Sequence, residues 1–293
     1  MCGRYAASKD TATLVEEFSV EAVVDPAPDP SFNVAPTDQV PMVVDRPVEG
    51  EQIQRQLRTA RWGLVPSWAK DPKIGARMIN ARWEEAAEKP AFRAAFAKRR
   101  CLLPADGYFE WYVPVARREG QREGQREGQG DGPRDGPRGR RVPKQPYFVH
   151  RADGRPLALA GLYEFWRPGP EEPWLVTVSV LTTDSAGAIA PLHDRMPVVI
   201  DPAGYAAWLD PTTSLGPDFP GLLAAERLVA HPVGTAVNSV RNNSPDLVAP
   251  IDAEGELRLP SASADPSQGS ADLGSADPDQ GSADQNQGSG ASG

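Results

Sequence analysis

Apolar positions along this chain fall mostly in short runs, and few segments show helical spacing. β-prone stretches at 40–45, 53–57, 101–103, 107–112, 146–150, 157–162, 174–181, 197–200 and 228–231 read as strands. Val176, Val178 and Val180 alternate and mark one buried face. Helical spacing is confined to brief segments. Leu14, Val15 and Phe18 share a face behind Asp10 or Thr11 as cap. A second helix is expected at 84–88, and a third at 91–98, opened by Pro90 with Phe92 and Phe96 one turn apart. Two more are expected near 202–209 and 222–227. The Pro- and Asp-rich run 23–36 reads as an ordered loop, and 61–68 as an aromatic, turn-rich connection. Strands and helices do not alternate as βαβ units. The pattern predicts an α+β fold, a single domain around a curved, barrel-like mixed β-sheet with flanking helices.

Two segments lack an apolar face. At 117–143, Arg-Glu-Gly-Gln repeats are followed by Asp-Gly-Pro-Arg repeats, a low-complexity insert expected to be disordered. Residues 259–293 form a Ser/Ala/Asp/Gly/Gln-rich tail expected to be disordered as well, leaving 2–258 as the folded domain.

Composition narrows the function classes. The two cysteines, Cys2 and Cys101, make no disulfide framework, and no CxxC pair offers a zinc site, so no metal or cofactor is expected. This suits a reducing cytoplasm. No secretory apolar region follows Met1, and no apolar run nears the ~20 residues of a membrane helix, so no membrane partner is expected. The net charge of −9 argues against a protein that coats duplex DNA. Any nucleic-acid site would be a local groove of arginines.

Cys2 is the most suggestive residue. Removal of Met1 would give it a thiol and a free α-amine on adjacent carbons. Such a pair condenses with an aldehyde to an imine, which the sulfur closes to a five-membered thiazolidine. Reference pKa values of about 8 for the amine and about 8.5 for the thiol leave part of each reactive near neutral pH. The alternative is a small residue at a frayed terminus. Glu110, between Phe109 and Trp111, reads either as a half-exposed strand glutamate or as a desolvated acid with a raised pKa suited to proton transfer. His193 sits in a turn before an apolar strand and reads as a solvated loop residue, a backbone cap or a catalytic base. Arg195, two residues on, would keep its imidazole neutral if the site is catalytic. His150 and His231 read as structural. Asn80 is a helix cap or a hydrogen-bonding group for a sugar. Trp62 and Trp68, with Pro36, are core residues or a wedge on which a base stacks.

Seven motifs in register bring these residues together: Met1-Cys2-Gly3-Arg4-Tyr5, 32–37 (FNVAPT), 62–66 (WGLVP), 80–82 (NAR), 107–111 (GYFEW), 182–185 (TTDS) and 193–197 (HDRMP), with 237–242 (VNSVRN) beyond them. Together they resemble the SRAP family, the SOS response-associated peptidases or abasic-site processing proteins. The resemblance implies a sensor of abasic sites in single-stranded DNA, a monomer found in the cytoplasm and on the nucleoid when bound. It implies a covalent thiazolidine crosslink through Cys2, with Asn80 and Glu110 lining the pocket and His193 transferring protons. It further implies DNA contacts by Arg4, Arg77, Arg82, Thr182 and Arg195, and a stacking wedge of Trp68 with Pro36. Two other readings compete. One is a cysteine-type peptidase or amidase with an N-terminal nucleophile, self-removal of Met1 being its simplest form. The other is a non-catalytic single-strand binding module.

Overall fold

The computed structural model describes residues 2–49, 52–112, 144–216 and 219–251. The chain divides into two compact units, 1–260 and 261–293, and all described residues belong to the first. The insert expected at 117–143 and the tail expected at 259–293 lie outside the described residues.

Strands β1 (Tyr5–Ala7), β3 (Ser31–Val34), β8 (Gly107–Tyr112), β9 (Gln145–Arg151) and β13 (Leu228–Pro232) form one sheet in the order β13-β9-β8-β1-β3. The second sheet holds β2 (Ala22–Val23), β4 (Gln39–Pro47), β5 (Ile53–Trp62), β6 (Asn80–Arg82), β7 (Arg100–Ala105), β10 (Leu157–Trp166), β11 (Leu175–Asp184) and β12 (Arg195–Pro197). In it the antiparallel run β11-β10-β7-β4-β5 returns on itself, because β5 also pairs with β11 in parallel. The sheet therefore closes into a ring, the barrel-like mixed architecture the sequence predicts. Closure hides edges that would otherwise template foreign strands.

Ring strands bury both faces. On one, Val40, Met42, Cys101, Leu103 and Val178 pack with Cys2, Tyr5 and Tyr108 from the other sheet. On the opposite face, Val43, Leu102, Ala160 and Leu181 pack against helices α1 (Thr11–Glu17), α2 (Trp83–Ala86), α3 (Arg93–Lys98) and α4 (Tyr205–Leu209). Each large aliphatic or aromatic side chain so buried contributes about 1.5–3 kcal/mol. A third cluster, including Phe109, Phe148, Val237 and Leu247, covers the outer face of the five-stranded sheet.

Several local expectations change. Asp10 is the α1 cap, its carboxylate accepting from Thr13 N–H at 2.8 Å. The expected loop 23–36 contains β3 and the end of β2, because Phe32 and Val34 bring apolar surface into an otherwise polar run. The strand expected at 53–57 runs on through Trp62. The expected 222–227 helix reduces to a 3-10 turn at Ala225–Arg227, and the 197–200 strand to β12 followed by isolated bridges at Val199 and Ile200. Asn80 caps no helix: it lies in β6, paired in parallel with β11, and Arg82 precedes α2 without a side-chain cap.

Candidate functional site

Cys2 is fully buried although it is the second residue. The segment after it is pinned from several sides. β1 pairs on one side with β3 and on the other with β8, Tyr5 facing Tyr108. Counting that antiparallel register back toward the terminus sets Gly3 opposite Glu110. The Asn80 side-chain amide donates to the Cys2 carbonyl at 2.8 Å. Arg4 Nη1 donates to Asn33 Oδ1 at 2.5 Å and to the Val237 carbonyl at 3.0 Å.

Alternation along β8 decides what Glu110 meets. Tyr108, Glu110 and Tyr112 project toward the space between the sheets, and Phe109 projects the other way into the third cluster. Glu110 is only 3% exposed, and burial raises its pKa, with the nearby Asp194 charge adding to the rise. Burial likewise pushes the Cys2 thiol up, and the Glu110 charge pushes it further. The thiol is therefore protonated at neutral pH, unlike the partly ionised thiol expected from reference values. Sulfur chemistry here needs a base beside it, and Glu110 is near enough to perturb it.

Three more polar atoms mark the same region. Tyr5 Oη, Tyr108 Oη and Asn80 Oδ1 are buried without hydrogen-bond partners among the described residues. Both tyrosines have pKa values raised by burial and, secondarily, by Cys2. Buried orphans of this kind are expensive unless a ligand satisfies them. Both tyrosines stand inside sequence motifs, 1–5 and 107–111, but neither has a role assigned from sequence.

His193 lies in the loop before β12. Its Nδ1 is 2.6 Å from Asp194 Oδ1 and 2.9 Å from the Arg195 backbone nitrogen, whose N–H it accepts. The Arg195 guanidinium, expected to act on the imidazole, is turned away. It forks onto Glu84 at 2.7 and 3.1 Å, meets Asp184 at 2.5 Å, and donates to the Thr182 carbonyl. The charge against the ring is thus the Asp194 carboxylate, and that same carboxylate links the His193 loop electrostatically to Glu110. On β9 and β13 of the five-stranded sheet, His150 stacks on Phe148, His231 lies tilted against it, and His231 Nε2 is 2.9 Å from the Val248 carbonyl.

The residues expected to touch DNA separate into two groups. Trp68 is 60% exposed and lines a cleft of about 290 Å³ with Lys70, Lys73, Ile74 and Arg77. Gly75, in the 3-10 turn that carries Lys73, Ile74 and Arg77, packs closely on Gly63. Gly63 has φ +123°, and a Cβ on it would sit 2.6 Å from the Gly75 carbonyl oxygen. Arg82 is exposed, 3.6 Å from Glu85. Pro36 is half-buried beside Thr37, whose φ of 80° is unusual for a β-branched residue. The second group is internal. Thr182 is 1% exposed and its hydroxyl donates to Ala81 O at 3.4 Å. Trp62 is no wedge: it is wholly buried, edge-on to Tyr5 at 5.1 Å, with Nε1 donating to Ile79 O.

A family match decides what this arrangement belongs to. The SRAP family, described as SOS response associated peptidase, matches residues 1–240. This chain belongs to the SRAP family. The abasic site processing protein YoqW of Bacillus subtilis (strain 168) is 33% identical over 255 residues, 85% of this chain and 99% of that protein. The abasic site processing protein YedK of Escherichia coli (strain K12) is 30% identical over 262 residues, 86% of this chain and 100% of that one. A solved structure from Bacteroides thetaiotaomicron shares the fold with a TM-score of 0.64 at 21% identity, covering 85% of this chain and 100% of that one.

The SRAP motifs scattered along the sequence meet around the amino-terminal segment. Asn33 is their hub. It is 3% exposed, accepts from Arg4, and donates to the carbonyls of Ser239 at 2.9 Å and Asn242 at 3.0 Å. One side chain thereby joins the motifs at 2–5, 32–37 and 237–242. Asn33, Glu84 and Asp194 are not among the expected site residues. Each stands inside a motif or beside one, yet only the folded chain shows which carbonyl or cation it serves.

Among the described residues no helix is long and apolar enough to cross a membrane, and no group of three His, Cys, Asp or Glu could hold a metal ion.

Proposed function

We propose that the chain, once Met1 is removed, captures abasic sites in single-stranded DNA as a thiazolidine at Cys2. The observation that carries this reading is the placement of Cys2: its carbonyl is fixed by Asn80, its thiol is buried, and the perturbing carboxylate is Glu110. The relatives named as abasic site processing proteins, matched over nearly their whole length, support the same substrate.

The chemistry balances without a cofactor. The Cys2 amine adds to the C1′ aldehyde of the ring-opened deoxyribose, and loss of one water leaves an imine. The sulfur adds to the imine carbon as its proton departs to a base, and the nitrogen takes up a proton. The net change is aldehyde plus aminothiol giving thiazolidine plus water. Glu110, with its raised pKa, serves both halves: as an acid when water leaves and as a base when the thiol closes the ring. Asn80 holds the nucleophile in place. His193, whose Nδ1 accepts the Arg195 backbone N–H, is the second proton carrier of the proposed reaction. An unpaired strand suits the site because no base pair must open to expose the sugar. The amidase reading would set the same buried Cys2 thiol against a carbonyl, and it predicts turnover of peptide substrates without DNA.

The test is mature protein mixed with a single-stranded oligonucleotide bearing one abasic site, resolved on a denaturing gel. A heat-stable adduct is expected, absent in Cys2→Ala, with Cys2→Ser giving only a borohydride-trapped imine. An undiminished adduct in Cys2→Ala contradicts the proposal.

A further inference from the structure

An aromatic–arginine ladder outside the crosslinking site has no role in the reading above. It runs along one end of the β10–β11 hairpin. Arg46 Nη1 donates to the Tyr163 hydroxyl at 3.0 Å, and its guanidinium lies over the Phe165 ring at 5.8 Å. Phe165 meets Trp174 edge-on at 6.2 Å, and the Arg167 guanidinium covers Trp174 at 4.2 Å. Trp174 is nevertheless 56% exposed, more than any large apolar residue of the described chain except Trp68 and Val240.

Two features separate this ladder from an ordinary surface aromatic. First, neither arginine is ion-paired among the described residues: Arg46 is held by a phenol and Arg167 by the Pro170 carbonyl. Arg195, by contrast, is matched by two carboxylates. Second, the ladder shares a hairpin end whose opposite face reaches the Trp68 cleft. Trp166, one residue from Phe165, donates its indole N–H to the Ala69 carbonyl at 2.7 Å. In the β10–β11 register Trp166 pairs with Leu175, next to Trp174. Asn80, which holds Cys2, pairs with Val180 on the same strand. Six residues of extended chain separate Val180 from Trp174, about 20 Å at ~3.3 Å per residue. That distance is several nucleotides from the lesion.

We infer that Trp174, backed by Arg167 and Phe165, is a second stacking platform that takes an unpaired base of the strand flanking the lesion. The inference rests on the proposed single-stranded substrate and extends it. An exposed indole beside unpaired guanidinium groups matches a base on its phosphate backbone. Glu171 and Glu172, exposed in the connecting loop, weaken the local field, so stacking carries the platform more than charge does.

The experiment is fluorescence anisotropy with labelled, intact oligothymidylates of about 5 and about 15 nucleotides, chosen against single-strand site sizes. Using intact strands keeps the readout independent of the crosslink. Trp174→Ala should weaken the long probe about 5- to 150-fold, the range expected for one lost base stack, and should abolish the long probe's advantage over the short one. Trp174→Phe should recover most of that advantage. Equal binding of the long probe by wild type and Trp174→Ala overturns the inference, as does an equal loss for both lengths, which would indicate a structural defect. Failure of the wild type to crosslink an abasic strand would count against the proposed chemistry alone; a length advantage that depends on Trp174 would still support the platform.

Discussion

Replacing Asn33 with alanine removes the side chain that ties three distant parts of the chain together. The amide donates to the Ser239 and Asn242 carbonyls, and its oxygen accepts from the Arg4 guanidinium. Each neutral bond contributes about 0.5–1.5 kcal/mol net, and the charge-assisted one about 1.5–3 kcal/mol. Their sum gives an expected loss of about 2.5–6 kcal/mol, a large part of the roughly 5–15 kcal/mol typical of a folded domain. With a urea m-value of about 3 kcal/mol/M, the unfolding midpoint should fall by about 0.8–2 M. The Arg4→Ala and Asn33→Ala double-mutant cycle should show coupling of about 1–3 kcal/mol. A loss below about 1 kcal/mol, or additive effects of the two substitutions, would refute the hub. At temperatures where Asn33→Ala stays folded, adduct formation should also slow, because Arg4 keeps only its bond to the Val237 carbonyl to anchor the segment that carries Cys2.

Other expectations follow from the same geometry. Burial raises the folded-state pKa of Glu110, so ionising it destabilises the fold as pH rises from the ordinary carboxylate range through the folded value. Glu110→Gln should therefore gain thermal stability on the wild type across that window while crosslinking more slowly; a stability difference independent of pH would argue against a desolvated acid. Tyr108→Phe deletes a hydroxyl that has no partner among the described residues, so stability should hold or rise by up to about 1 kcal/mol while adduct formation slows. A loss of more than about 1 kcal/mol in its denaturant curve would show that the hydroxyl serves the fold instead. Cys101, buried in β7, should tolerate Cys101→Ala with about 1 kcal/mol lost to the small cavity and the denaturing-gel adduct retained. Disappearance of that adduct would make Cys101 a participant.

The sequence carried the fold class because its strand signals are local: 107–112 and 174–181 are β-prone whatever surrounds them. It did not carry β1, three residues long, or β3, whose flanking Pro and Asp residues outweigh Phe32 and Val34 in any local reading. Which strands close the barrel was out of reach, since closure depends on the parallel pairing of Thr177 with Arg61 and Val178 with Trp62, far apart in sequence. Within the site, Phe109 and Trp111 on either side left Glu110 open between a half-exposed and a desolvated acid, and the fold buries it. The ionisation of Cys2 was not, because reference values contain no contribution from burial. Arg195 illustrates the same gap: its charge is visible in sequence, but Glu84 and Asp184, which neutralise it, converge only after β11 and β12 pair.

The most direct measurement of the central claim is mass spectrometry of the adduct after proteolysis and nuclease digestion. The account predicts a peptide beginning at Cys2, without Met1, carrying the abasic sugar with the loss of one water. A sugar attached to any other residue, or an adduct peptide that retains Met1, would contradict it.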